Sequence, residues 1–250
     1  MPGTTAPVFL VEELPAGSRA VLGGDEARHA VTVRRMRAGE RLTLSDGAGT
    51  AADCVVEAVR PGREPELDVT IEERWTEPEP ALRVVVAQAL AKGDRGELAV
   101  ELATEAGADA ILPWRAERSV ARWEEGPRGA KARGRWQATV RAAAKQARRA
   151  WVPPVEEPVD TAGLAAAVQA AAVALVLEGT AAERLTRVEL PAEGEVLLVV
   201  GPEGGITDAE LETLREAGAV PVRLGPTVLR TSTAAAVALG ALGARTSRWD

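Results

Sequence analysis

From residue 81 onward the sequence alternates short apolar runs with stretches of helical periodicity, and this leaves few architectures open. Residues 82–90 and 196–200 are almost continuously apolar, the pattern of strands covered on both faces. Further strands are expected at 110–112, ending at Pro113, and at 172–177 and 220–224. Helical spacing predicts helices at 94–106, 128–149, 161–171, 207–217 and 232–245, with Thr207 and Glu210 as a capping box on the fourth. Strands alternating with helices give a parallel sheet carrying helices on its faces.

The first 75 residues follow another rule. Candidate strands at 8–11, 19–22, 41–45, 50–59 and 66–73 are separated by turn signals such as Asp46-Gly47 and Pro61-Gly62. One helical piece, 24–36, interrupts them, with Asp25 placed to cap it. This is the pattern of a small β-barrel. Thr76-Glu77-Pro78-Glu79-Pro80 is charged and proline-rich, as a linker is. The expected domains are therefore 1–75 and 81–250, joined through 76–80.

Several function classes are disfavoured at this stage. No uncharged apolar stretch of about 18 residues predicts a membrane span, and no basic region followed by an apolar run marks a secretory signal. Cys54 is the only cysteine, which leaves no internal disulfide and no cysteine metal cluster, and a cytoplasmic location is expected. No bound metal is expected either. The formal net charge of -7 argues against a nucleic-acid partner until its distribution is considered. Between residues 115 and 149 lie eleven basic side chains and only three acidic ones, and a second cluster holds Arg28, Arg34, Arg35, Arg37 and Arg41. On composition alone, a solvated helix face and a phosphate-binding surface remain equally open.

In parallel sheets, ligands bind beyond the carboxyl ends of the strands. Two glycine-bearing loops fall there: Gly201-Pro202-Glu203-Gly204-Gly205, and the segment from Leu224 and Gly225 to Leu229, Arg230 and Thr231. Leu177-Glu178-Gly179 ends a third strand in the same way. Neither a G-x-G-x-x-G fingerprint nor a P-loop occurs, so a phosphate cradle is disfavoured. Apolar Leu177, Leu224, Val228 and Leu229 beside accessible backbone suit a neutral nucleoside. Ordinary strand-to-helix turns also carry glycine and proline, and that reading stays open for each loop taken singly.

These two loops, with their spacing, resemble the signature of the RsmE family of 16S ribosomal RNA uridine-N3 methyltransferases, within the SPOUT superfamily. The resemblance extends over nearly the whole chain. His29, Val33, Arg35 and Gly39 are similar to the family's first block, followed by Asp46-Gly47. Lys92, Glu105-Ala106-Gly107, Pro113 and Glu117-Arg118-Ser119 match a second, and Gln146, Arg149, Val152 and Pro153 a third. Two positions depart from the pattern: Lys145 and Ser232 stand where the family usually has glutamate.

The resemblance implies a PUA-like RNA-binding barrel followed by an α/β domain with a deep trefoil knot. It implies S-adenosylmethionine in the knot loops, a homodimer that shares its active sites, and 16S ribosomal RNA of the small subunit as partner. The cofactor residues it implies are those of the three strand-end loops together with Thr233 and Ala234 at the start of the last helix. Arg230 is the catalytic candidate, a permanent cation for the oxygens of a uracil losing its N3 proton. Arg28, Arg34, Arg35 and Arg37 are the expected RNA contacts near the N-terminus, with Lys145, Gln146, Arg148 and Arg149 on the long helix. His29 is read as structural or RNA-contacting and Cys54 as core. The alternatives are a SPOUT enzyme acting on another ribosomal or transfer RNA position, and a non-catalytic RNA-binding assembly factor.

Overall fold

The two most apolar runs become adjacent parallel strands, β6 (Leu82–Ala89) and β9 (Gly194–Val200). Val84 lies beside Val196, Val86 beside Leu198 and Gln88 beside Val200, so both strands end at one level. Around them the computed structural model, which describes residues 6–249, builds a five-stranded parallel sheet. Its order is β10 (Val220–Val222), β8 (Val173–Leu177), β9, β6, β7 (Ala110–Trp114).

Side chains alternate across these strands. Val85, Ala87, Leu197 and Val199 join a core with Leu164 and Val168 of α4 (Thr161–Ala170) and Leu214 of α5 (Asp208–Glu216). On the alternate positions Val84 and Val86 are buried too, and α2 (Arg95–Glu105) packs with α6 (Thr231–Gly243). Full burial of a leucine such as Leu197 or Leu198 is worth about 2 kcal/mol. The Thr207 capping box forms as expected, with the Thr207 side chain on the Glu210 amide and the Glu210 side chain on the Thr207 amide. β7 runs through Pro113 instead of ending there. It is the edge strand of the sheet, with β6 as its only ladder partner. On its other side the Ile111 and Arg115 amides donate to the Pro154 and Val159 carbonyls, while Pro113, between them, has no N–H to place.

This sheet belongs to one of two compact units, Pro80–Ala143 with Pro153–Asp250. The other unit is Met1–Glu79 with Ala144–Val152. In it β1 (Val8–Leu10), β3 (Arg41–Ser45), β4 (Thr50–Arg60), β5 (Glu66–Thr76) and β2 (Arg19–Leu22) form one sheet in that order. β1 and β2 are its edges; where a barrel is expected, no ladder joins them among the described residues. Phe9, Leu42, Leu44, Leu67 and the fully buried Cys54 fill its core.

Two local expectations need correction. The helical piece at 24–36 is α1 (Gly24–Arg28) followed by a π-helical turn, His29–Val33, in which Arg34 donates to the His29 carbonyl. Val31, Thr32 and Val33 are β-branched and crowd a regular helix. Asp25 does not cap it: Gly23 holds that position without a side-chain bond, and Asp25 pairs with Arg28 at 2.7 Å.

The long helix α3 is Pro127–Gln146 and stops short of residue 149. Arg148 takes a left-handed φ of 56°, and Ala144–Val152 joins the first unit, although the sequence reading assigns it to the second domain. Trp151 Nε1 donates to the Glu77 carbonyl at 3.0 Å and the Val152 amide to the Gly47 carbonyl at 2.8 Å. Only glycine fits at Gly49, where a Cβ would stand 2.5 Å from the Trp151 ring. Among the described residues no helix is long and apolar enough to cross a membrane.

Candidate active site

Beyond the carboxyl ends of β8, β9 and β10 the second unit holds a cavity of about 440 Å³. Leu177, Glu178 and Gly179 supply one wall, after β8. Gly201, Pro202, Glu203 and Gly205 supply another, after β9, and Leu224, Gly225, Leu229 and Arg230 a third, after β10. Thr231 and Ala234 close it at the first turn of α6. An added Cβ at Gly179 or Gly225 would meet nothing within 4 Å, so both backbones face open space.

Two residues expected at the cavity lie outside its walls. Gly204 turns toward Arg118, whose Nη1 donates to its carbonyl at 3.2 Å. Thr233 directs its hydroxyl back to the Arg230 carbonyl, 3.2 Å away. Val200, Ile206, Val222 and Arg95 line the cavity without having been singled out. The first three are the strand ends and loop flank already implied by the glycine loops. Arg95 comes from the first turn of α2, and only the rule that every strand end contributes would have found it.

The loops are tied together below the cavity by polar contacts. The Thr231 hydroxyl donates to the Gly201 carbonyl at 2.7 Å and accepts from Gln88 Nε2 at 3.0 Å. Gln88 also donates to the Ala89 carbonyl, while its Oε1 is buried without a partner. Glu203 accepts from the Lys92 amide at 3.2 Å and from Arg95 at 3.3 Å, which fastens the β9 loop to the start of α2. Glu210 is buried and accepts from the Glu117 amide at 2.8 Å and the Thr161 hydroxyl at 3.0 Å. Packed carboxylates of this kind hold a loop in one geometry because breaking them leaves a buried charge unpaired.

Charge enters the site through Arg230. It is the N-cap residue of α6, exposed, and no carboxylate forms an ion pair with it among the described residues. Ser232, in place of the family's glutamate, is buried in the same turn.

The eight residues expected to contact RNA all fall in the first unit, because Ala144–Val152 joins Met1–Glu79. Arg34, Arg35, Arg37, Gln146 and Arg148 are exposed. Arg28 is exposed and paired with Asp25. Lys145 is bound at 2.6 Å to Glu26, with both side chains about one-fifth exposed, and sits 5.6 Å from the centre of the Phe9 ring. It is thus an internal anchor of this unit before it is anything else. His29 is exposed and meets the Phe9 ring edge-on at 6.1 Å.

Residues 77–243 match the family model of an RNA methyltransferase domain, and residues 22–65 that of an RNA methyltransferase PUA domain. The chain is 53% identical to Ribosomal RNA small subunit methyltransferase E of Mycobacterium bovis, over 98% of this chain and 94% of that one. It is 33% identical to the protein of that name from Bacillus subtilis, over 94% and 93%. The solved structure of the Neisseria gonorrhoeae protein of that name, bound to S-adenosyl methionine, superposes with a TM-score of 0.82 at 30% identity, covering 96% of this chain and 98% of that one. With both family models matched and this identity held along nearly the whole length, the chain belongs to the ribosomal RNA small subunit methyltransferase E family.

Proposed function

We propose that the protein transfers a methyl group from S-adenosylmethionine to N3 of a uridine in 16S ribosomal RNA of the small subunit. The observation that carries this is the cavity at the ends of β8, β9 and β10, in a chain 53% identical to a ribosomal RNA small subunit methyltransferase over nearly its full length. Its volume of about 440 Å³ lies in the usual range for small-molecule sites. Leu177, Val200, Val222 and Leu224 offer apolar walls to an adenine. Gly179 and Gly225 leave backbone within reach of its edge. The residues present therefore fit the cofactor.

When bound, S-adenosylmethionine supplies an electrophilic methyl group on a sulfonium. The protein must then orient the uracil, expel water and stabilise the charge that develops as N3 loses its proton. Arg230 is placed for the last task. Its guanidinium is permanently charged, exposed and in no ion pair among the described residues, so it is available to the uracil oxygens flanking N3. The linked Gln88, Thr231 and Gly201 hold the β9 loop and the α6 terminus at fixed separation beneath the reacting groups.

In this reading the three loops form the knot of a SPOUT domain, the chain acts in the cytoplasm as a homodimer, and the PUA unit grips RNA through Arg28, Arg34, Arg35, Arg37, Gln146, Arg148 and Arg149. Val237, 48% exposed on the otherwise apolar α6, supports burial of that helix against a second copy. The test is transfer of labelled methyl from S-adenosylmethionine to purified small ribosomal subunits. Incorporation into the ribosomal RNA supports the reading, and none in any buffer or assembly state contradicts it.

A further inference from the structure

The second unit carries a run of cations that neither its core nor its cavity uses. Between residues 115 and 143 the chain has eight basic side chains and three acidic ones, so the rest of the chain carries a formal -12. Two of the eight are committed within the unit: Arg133 to Glu157 and two bonds to the Val155 carbonyl, and Arg135 to Glu97 at 3.2 Å. Arg118, Arg122 and Lys131 are exposed and form no ion pair with any described carboxylate, and Arg128 has only Glu124 at 3.9 Å, in solvent.

Their placement is ordered. Arg118 rests on the Gly204 carbonyl, at the lip of the cavity. The connection from β7 to α3 is folded back on the helix by Trp123, whose ring meets Trp136 edge-on at 4.7 Å. It passes so close to the first turn of α3 that a Cβ at Gly129 would stand 2.1 Å from the Glu124 carbonyl. Arg122 is thereby held near the end of α3 from which Arg128 and Lys131 project. That end is electrostatically the wrong one for them. A helix N-terminus is positive and favours acids, yet the first turn of α3 has none, and α3 has no acidic residue anywhere. Cations gathered there repel both the dipole and each other; Glu124 and Glu125, just before the helix, offset part of this, and an external anion offsets the rest.

We infer that Arg118, Arg122, Arg128 and Lys131 form a phosphate track on the methyltransferase unit, leading from the cavity lip onto α3 and holding the backbone of the substrate RNA beside the target nucleotide. This rests on the proposed RNA substrate and adds a second grip, separate from that of the PUA unit. The track is electrostatic and sequence-independent, so it fixes position and leaves selection of the base to contacts with the base itself.

The experiment compares wild type with Arg122→Glu/Lys131→Glu. Both sites are exposed and form no ion pair with a described carboxylate (Arg122 has one long bond, to the Glu117 carbonyl at 3.4 Å), so the fold is left intact, and S-adenosylmethionine calorimetry verifies this. Filter binding of small ribosomal subunits is measured across a salt series. The expected result is affinity reduced at least tenfold and a log-log salt slope flattened by about 1–2, with cofactor affinity unchanged. Unchanged affinity and slope, in a preparation whose wild type binds and methylates subunits, overturns the track alone. So does weakened binding that coincides with dissociation of a dimer in sedimentation. A wild type that binds no RNA and transfers no methyl group overturns the substrate reading, and the track with it.

Discussion

The Thr231 hydroxyl and the Gly201 carbonyl meet at 2.7 Å, joining the first turn of α6 to the loop after β9. Because the same hydroxyl accepts from Gln88 at the end of β6, one small side chain fixes three segments beneath the cavity. Thr231→Val keeps the shape but takes the hydroxyl donor from the Gly201 carbonyl and leaves the Gln88 amide with the Ala89 carbonyl alone. S-adenosylmethionine affinity is expected to fall about tenfold, the equivalent of one to two buried hydrogen bonds. Calorimetry checks this, and unaltered affinity would show that the loops hold their geometry without the bridge.

Gly225 faces open space in the cavity wall, so a large side chain there enters the site without disturbing the core. Gly225→Trp should abolish cofactor binding while the thermal midpoint moves by no more than a few degrees. Gly204→Trp is a poorer probe, because its Cβ would press on Arg118 at 3.1 Å instead of entering the cavity. Full cofactor affinity in a folded Gly225→Trp protein would remove the cavity from consideration.

Arg230 is assigned to charge that develops only during the reaction. Arg230→Ala should therefore lower kcat about 10²–10³-fold, as loss of one such group does elsewhere, with the cofactor Kd unchanged. Arg230→Lys should restore part of the rate, since it returns the charge without the planar fork. A change in KM with kcat preserved would reduce Arg230 to a binding residue.

The second unit was legible because β6 and β9 are apolar enough to require cover on both faces, and because glycine loops fall at the carboxyl ends of β8, β9 and β10. Gln88 and Arg95 were not, since each sits in an ordinary strand or helix and acquires its role only through partners distant in sequence. Helical periodicity runs unbroken past residue 146, so nothing local announces that Ala144–Val152 leaves with the first unit. The turn that ends α3 puts Arg148 in a left-handed conformation, closed by the Arg148 and Arg149 amides on the Lys145 and Ala144 carbonyls, without a glycine to signal it. Lys145 reads as a free cation for RNA until Glu26, far away in sequence, is found against it.

Burial pushes the Cys54 thiol up from 9.0 to about 11. A folded-state pKa raised above the unfolded value gives stability that is complete below pH 9 and lost as pH rises toward 11. The loss should total roughly 2 kcal/mol, and Cys54→Ala should flatten it in denaturant titrations at pH 8 and 11. The thiol should also resist alkylation at pH 8 in the native protein. Rapid alkylation there, or the same alkaline loss in Cys54→Ala, would count against a buried neutral thiol.

Methylation of one uridine at N3 in 16S ribosomal RNA is tested most directly by mass mapping of that RNA from cells with and without the gene. One uridine fragment is expected to become lighter by the mass of one CH₂ when the gene is deleted, because the methyl group had replaced a hydrogen. The wild-type gene should restore the mass, Arg230→Ala should not, and nucleoside analysis should place the group on N3. An identical modification map in both strains, or a lost methyl group on another base or another RNA, would contradict this assignment.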